Sequence, residues 1–156
     1  CSGIQFNGDT ASANALNDYE EGTYTPAFSF GGNFNGSYSS NKQYGTYTKI
    51  GRLVHVNIMI VLSSKGSHGG NMQVTLPFAV AGILTDTSLE ASSICGYFNG
   101  FANTVTNVNY LAVSAQDSTS YGLFRSNYQG GNSFVLGLGD INDNFEFRLS
   151  MTYYTT

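Results

Sequence analysis

Apolar and polar residues alternate with a period of two along most of this 156-residue chain, which predicts β-strands. The pattern is clearest near the C-terminus, where five large residues fall on one strand face: Phe145, Phe147, Leu149, Met151 and Tyr153. The positions between them are mostly Glu, Arg, Ser and Thr. We therefore expect a strand that packs a core on one side and faces water on the other.

A second long strand is predicted from Arg52 to Leu62. One face is wholly apolar: Val54, Val56, Ile58, Ile60 and Leu62. The other face mixes apolar and polar residues: Leu53, His55, Asn57, Met59 and Val61. A strand that is partly covered on both faces is typical of the centre of a sandwich or of a subunit contact.

Shorter strands, separated by turns rich in Gly, Asn and Ser, are predicted over seven segments: Thr23 to Phe30, Tyr44 to Ile50, Met72 to Leu76, Ser92 to Phe98, Val108 to Ala115, Ser120 to Arg125 and Phe134 to Leu138. Eight or nine short strands at this spacing predict an all-β fold, an antiparallel β-sandwich or jelly roll. Residues Ala11 to Asp18 are the helical candidate, with Asp9 or Thr10 as N-cap. We expect this short helix to lie in an N-terminal connector over residues 1–22, followed by the sandwich over residues 23–156.

Residues 10 to 26, TASANALNDYEEGTYTP, stand out as a signature. Together with Gly3-Ile4-Gln5-Phe6 and Gly45-Thr46-Tyr47-Thr48-Lys49-Ile50-Gly51, the stretch resembles the C-terminal domains of bacteriophage tail fibres and tailspikes. In that family a segment of this type leads from the fibre shaft into a β-sandwich. Close agreement covers about the first 60 residues, and beyond Val61 only the β character continues.

The resemblance implies a receptor-binding module at the tip of a tail fibre or tailspike, which binds host-surface glycan or lipopolysaccharide without catalysis. It also implies a homotrimer, a virion location outside the cell, and assembly in the host cytoplasm. Three copies of a weak sugar site would gain avidity through effective concentration. Two alternatives stay open: a purely structural trimerisation or folding cap, or capsid fibre domain, and a polysaccharide depolymerase or esterase.

Charge and cysteine content exclude several other classes. A net charge of −4 with six scattered Lys and Arg argues against a nucleic-acid partner. The longest apolar stretch, Ile58 to Leu62, is strand-sized, so membrane insertion is not expected. Cys1 and Cys95 form neither a disulfide framework nor a metal site, and we expect two free thiols and no cofactor.

The residues that could support catalysis or bind a metal ion are few. His55 and His68 have no partner at ligand spacing, and no hydrolase or nucleotide-binding motif occurs. Glycoside cleavage needs two carboxylates about 5 to 9.5 Å apart, but adjacent Glu20 and Glu21 in an extended segment point to opposite faces. The alternating oxygens from Asp140 to Glu146 lack the Gly and Glu positions of a calcium loop, so we expect a polar hairpin turn over Asn142 to Asn144.

Aromatic residues beside amides and hydroxyls are the better functional candidates, since they make up 14% of the chain. Sugar rings stack their C–H faces on aromatic rings while neighbouring polar groups bind the hydroxyls. Two segments combine both ingredients, and with Tyr121 they give the predicted glycan contacts: Tyr97, Phe98, Asn99, Tyr121, Asn127, Tyr128 and Gln129. Packing in the core or at a subunit interface is the alternative role for each aromatic ring.

Overall fold

The computed structural model describes residues 18–82, 91–102, 108–128 and 131–156. Within those ranges the chain forms eleven strands and one turn of 3-10 helix. In chain order they are β1 (Tyr19–Tyr24), β2 (Phe28–Phe30), β3 (Ser37–Ile50), β4 (Leu53–Ser64), β5 (Met72–Thr75), β6 (Ser92–Ile94), β7 (Tyr97–Phe101), β8 (Val108–Ala115), β9 (Tyr121–Tyr128), β10 (Ser133–Val135), the 3-10 turn (Leu138–Asp140) and β11 (Ile141–Tyr154). The helix predicted over Ala11 to Asp18 lies outside the described residues except for Asp18.

The strands form two antiparallel sheets. The front sheet has the order β1-β3-β4-β11-β7, and the back sheet has the order β2-β5-β9-β8-β6, with β10 also paired to β9. The predicted antiparallel β-sandwich is therefore confirmed. Strands β4 and β11 lie side by side at the centre of the front sheet, and for β4 this is one of the two positions that its partly covered faces predicted.

The core lies between the two sheets. All five apolar residues on the predicted inner face of β4 are buried, and so are the five on β11. Aromatic rings join the layers: Phe28 of β2 stacks on Phe124 of β9 at 5.2 Å, and Phe147 of β11 meets Phe124 edge to face at 4.9 Å. Such geometries add about 0.5–1.5 kcal/mol per pair beyond the area that the rings bury.

The two sheets are connected at one edge by the short step from β6 to β7. We predicted one strand over Ser92 to Phe98, but the chain leaves the back sheet after Ile94 and enters the front sheet at Tyr97. Between them Cys95 is buried, and burial raises the pKa of its thiol to about 12. The Ser93 hydroxyl donates a hydrogen bond to the carbonyl of Ser150 at 2.7 Å, which joins β6 to β11.

Two other sequence expectations were wrong in detail. The single strand expected over Thr23 to Phe30 is β1 and β2, which belong to different sheets. The break contains Pro26, which has no N–H to donate, and its carbonyl accepts a hydrogen bond from Gln43. The turn expected over Asn142 to Asn144 lies within β11, where the register with β7 shifts between Ile141 and Glu146.

Asp18 and Glu20 of the signature hold β1 against β3, whereas Glu21 bonds within β1. Glu20 accepts a hydrogen bond from the Tyr47 hydroxyl at 2.6 Å, Glu21 accepts one from Tyr19 at 2.6 Å, and Asp18 pairs with Lys49. Residues 19–22 of the predicted connector thus pair with β3 in the front sheet. The division of the chain at residue 22 otherwise stays a prediction.

Each strand of this pair also places a glycine under an aromatic ring of the other. Gly22 is the register partner of Tyr47, and Tyr24 is the register partner of Gly45. A Cβ atom at Gly45 would lie 2.4 Å from the Tyr24 ring, and one at Gly22 would lie 2.9 Å from the Tyr47 hydroxyl. Rings that cover glycines in this way help to fix the strand register.

Candidate functional site

A row of four side chains crosses the outer face of the front sheet. Tyr44 of β3 pairs with Met59 of β4, Met59 pairs with Arg148 of β11, and Arg148 pairs with Tyr97 of β7. Directly opposed residues in antiparallel strands project from the same face, so all four point away from the core. The two tyrosines stand three interstrand spacings apart, about 14 Å.

This row borders an open groove of about 440 Å³. Its floor and walls combine apolar atoms with hydroxyl, amide and guanidinium groups, and the lining residues are Tyr44, Thr46, Asn57, Ile58, Met59, Ile94, Gly96, Arg148, Leu149 and Ser150. Tyr44 is 51% exposed and Tyr97, beside the groove, is 44% exposed. Two accessible rings that flank a mainly apolar floor with a few hydroxyl, amide and guanidinium groups are suited to a ligand with apolar faces and several hydroxyls.

Arg148 contacts two neighbours on the outer face, Tyr97 and Glu146. Its guanidinium carbon lies 5.1 Å from the centre of the Tyr97 ring, within the range of a cation–π contact. Its Nη2 and Nε both donate to Oε1 of Glu146, at 3.0 and 3.3 Å. The Arg148 side chain is still 57% exposed, so the remaining N–H groups face solvent.

A polar belt borders the groove toward the C-terminal end of β11. His55 joins two residues of the neighbouring strand: Nδ1 lies 3.0 Å from the Thr152 hydroxyl, and Nε2 lies 3.3 Å from the Ser150 hydroxyl. The histidine therefore joins the outer faces of β4 and β11 through hydrogen bonds. This is a structural explanation for a residue that the sequence left without a partner.

The predicted segment at Tyr97 lies at the edge of this site. Tyr97 contacts Arg148, as described, whereas Phe98 points to the opposite face and packs against the core and the Phe101 ring at 5.5 Å. Asn99 is exposed on the same face as Tyr97, and its side-chain oxygen accepts a hydrogen bond from the N–H of Gly100. Of this segment, Tyr97 and Asn99 are the residues that a ligand on the outer face could reach.

Three of the other predicted contacts, Tyr121, Asn127 and Tyr128, lie in the back sheet. Tyr121 and Asn127 are both half-buried residues of β9, six positions or about 20 Å apart along the strand. Tyr128 ends β9 opposite Val108, and Gln129 lies outside the described residues. The two predicted segments thus occupy different sheets, and the assignment of these residues to a glycan site stays a prediction.

The groove residues that sequence reasoning missed come from four separate strands or corners. Tyr44, Met59 and Arg148 are far apart along the chain and become neighbours only through the pairing register. The alternation in β11 did predict that Arg148 lies on the surface, and this was the one feature of the sequence that pointed to it.

Acidic residues near the groove are few and engaged. None of the described lining residues is Asp or Glu, and the nearby Glu146 pairs with Arg148. In β1, Glu20 bonds Tyr47 of β3 whereas Glu21 bonds Tyr19, its neighbour on the outer face, so the two carboxylates point to opposite faces.

The described residues contain no cluster of three or more His, Cys, Asp or Glu that could hold a metal ion. They also contain no helix long and apolar enough to cross a membrane.

A second row of exposed residues crosses the same sheet face at its other end. We call it the terminal row: Tyr19, Ile50, Leu53 and Tyr154, which are successive register partners on β1, β3, β4 and β11. Their exposed fractions run from 39% to 57%. We call the row of Tyr44, Met59, Arg148 and Tyr97 the groove row. Arg148 and Tyr154 are six residues apart on β11, so about 20 Å separates the terminal row from the groove row.

Comparison with known proteins assigns the fold to a class. No protein-family model matches the chain, and no curated protein sequence matches it. Among solved structures, the Dettilon tailspike protein (gp208) is similar: the match covers 87% of this chain with a TM-score of 0.66 and 17% identity. The match covers 24% of that protein's chain. The domain therefore has a tailspike-like fold and spans about a quarter of the length of the tailspike it resembles.

Proposed function

We propose that this domain is a receptor-binding module at the C-terminal tip of a phage tail fibre or tailspike, which binds a host-surface glycan or lipopolysaccharide. The observation that carries the proposal is the groove on the front sheet, flanked by the exposed rings of Tyr44 and Tyr97. The tailspike-like fold supports the virion assignment. The separation of the two rings suits a short oligosaccharide that lies across the strands, rather than a single sugar.

Binding without cleavage is part of this proposal. A glycosidase would need two carboxylates about 5 to 9.5 Å apart on either side of one bond. The described groove is lined by no carboxylate, and the adjacent Glu146 is paired with Arg148. Incubation with host polysaccharide should therefore release no reducing ends or acyl groups, and release of either would favour the depolymerase or esterase alternative.

Stacking on Tyr97 gives the proposal its sharpest test. Tyr97→Ala removes the ring, and we expect binding on a glycan array and to host cells to fall about tenfold, because a lost stacking contact of about 0.5–1.5 kcal/mol acts together with lost apolar burial. Tyr97→Phe keeps the ring and is the matched control, with binding expected near wild type.

Tyr121→Ala tests the alternative location in the back sheet. If Tyr121→Ala abolishes binding while Tyr97→Ala and Tyr44→Ala leave it unchanged, the groove is not the site. If the wild-type domain binds neither glycans nor cells, the purely structural alternative is favoured over adhesion.

We also propose that the domain assembles as a homotrimer through contacts that include the terminal row. Tyr, Leu and Ile side chains exposed side by side without charges have the composition of an interface core. Because the row lies about 20 Å from the groove row, subunits could meet there while each groove stays open. Three open grooves on one particle would provide the avidity that weak sugar sites require.

A further inference from the structure

The groove contains a single charged side chain, and that charge is positive. Among its described lining residues Arg148 is charged, whereas the others are apolar or neutral polar. The chain has only six Lys and Arg in all. Several of these bond to the protein itself: Lys49 to Asp18, Arg52 to the carbonyl of Thr155, and Lys65 to the carbonyls of Leu138 and Ile141. Positively charged residues are therefore scarce in this chain, and one of them, Arg148, lines the groove.

The guanidinium of Arg148 retains donors for a ligand. Arginine has five N–H groups, and the two bonds to Glu146 use Nε and Nη2. The Nη1 group and one further N–H are left, on a side chain that is 57% exposed. The contacts with Glu146 and the Tyr97 ring favour this orientation of the guanidinium, so binding a ligand costs less side-chain entropy than it would with an arginine that lacks such contacts.

We infer that the groove selects an acidic oligosaccharide, with an oxyanion on the guanidinium of Arg148 and adjacent sugar rings against Tyr97 and Tyr44. This inference rests on the proposed glycan-binding function and adds the chemical class of the ligand. A guanidinium matches a planar oxyanion with two parallel hydrogen bonds, and such charge-assisted bonds are stronger than neutral ones. None of the described lining residues is a carboxylate, so the lining itself adds no charge that would repel an oxyanion.

The charge on Glu146 does not cancel this preference. Glu146 binds through one oxygen, Oε1, and approaches the guanidinium from its Nε and Nη2 side, so the opposite edge stays available. Because Glu146 offsets much of its charge, Arg148 acts mainly as a hydrogen-bond donor with a defined direction rather than as a free cation. We therefore expect short-range selectivity for an oxyanion, with only a modest dependence of affinity on salt.

The test compares matched ligands and matched variants. The probes are oligosaccharides that carry a uronic acid, their carboxyl-reduced counterparts, and sulfated or phosphorylated counterparts. Wild-type domain should bind the uronic-acid probes about ten- to a hundredfold more tightly than the reduced ones, the range expected for a charge-assisted hydrogen bond. Binding of the sulfated or phosphorylated probes alone would assign the oxyanion to those groups instead of a carboxylate.

Arg148→Gln should remove the preference between acidic and reduced probes, whereas Arg148→Lys should retain part of it as a point charge. Arg125→Gln, in β9 of the back sheet, removes an equal charge elsewhere and should leave the preference intact. If all probes bind equally and Arg148→Gln has no effect while Tyr97→Ala still weakens binding, the acidic-ligand inference is wrong and the proposed function stands. If no probe and no host cell binds, the proposed function fails as well.

Discussion

Gly45 of β3 lies under the Tyr24 ring of β1, so replacing it with alanine, which adds one methyl group, tests how closely the two strands pack. In Gly45→Ala the new Cβ would lie 2.4 Å from Cε1, 2.8 Å from Cδ1 and 2.9 Å from Cζ of Tyr24. Side-chain atoms cannot approach that closely, so the ring or the strand must move. The Tyr24 ring packs against the core, which limits where it can go.

Two effects of opposite sign determine how much Gly45→Ala changes the free energy of unfolding. Overpacking of a closely packed site costs about 1–3 kcal/mol. Alanine also has less conformational entropy than glycine in the unfolded chain, which returns about 0.4–1 kcal/mol. We expect Gly45→Ala to lower the free energy of unfolding by about 1–2 kcal/mol. For a chain of this length that corresponds to a fall in Tm of about 2–8 °C.

Urea unfolding and thermal melts followed by circular dichroism, at one fixed protein concentration, measure this change. Gly69→Ala is the matched control, because its Cβ would meet no atom within 4 Å, and it should leave stability unchanged or slightly raised. Gly22→Ala should cost less than Gly45→Ala, since it meets the far end of the Tyr47 side chain, whose hydroxyl can shift.

A double-mutant cycle separates the clash from other effects. In a Tyr24→Ala background the ring is gone, so adding Gly45→Ala should cost nothing or stabilise the domain. The reasoning is refuted if Gly45→Ala is as stable as wild type, or if it costs the same with and without the Tyr24 ring.

Two further predictions concern assembly and pH. Leu53→Asp places a charge in the terminal row and should convert the proposed trimer to a 16.7 kDa monomer in light scattering, whereas Thr152→Asp, in the polar belt, should not. A monomeric wild-type domain would contradict the proposed trimer itself. Burial raises the pKa of Cys95 and of Tyr153 to about 12, and it also raises that of Tyr24, above ordinary values near 9 and 10. Since folding favours the protonated forms, their contribution to stability is complete below pH 9 and is lost as pH rises toward 12; a urea midpoint that stays constant from pH 8 to 11.5 would contradict this.

The sequence predicted the parts of the fold that depend on side-chain alternation along one strand. Val56 and Phe147 belong to uninterrupted period-two patterns, so the buried faces of β4 and β11 could be assigned without knowing their partners. Alternation does not reveal where the chain changes sheet. The step at Cys95 and Gly96 and the break around Pro26 were missed for this reason, because local β propensity continues across both.

The candidate site could be predicted only in part, since it depends on which residues of different strands are paired. Tyr97 was identified because aromatic and amide residues adjoin it in the sequence. Its neighbour Arg148 is 51 positions away, and only the register of β11 with β7 brings the two together. Phe98 was grouped with Tyr97 by proximity in the sequence, but successive residues of a strand face opposite ways, and Phe98 packs inward.

The outer face of the front sheet can therefore vary in sequence without disturbing what lies beneath it. Each of the central strands alternates core residues with surface residues, so Arg148 can be replaced while Phe147 and Leu149 keep their packing. Surface substitutions of this kind usually change stability by less than about 0.5 kcal/mol. The signature acts differently, because Asp18 and Glu20 bond residues of β3 and hold the edge strand in register. A loss of binding in a groove variant that keeps its melting temperature can then be attributed to the ligand contact, whereas a loss of binding in a signature variant cannot be separated from unfolding of β1.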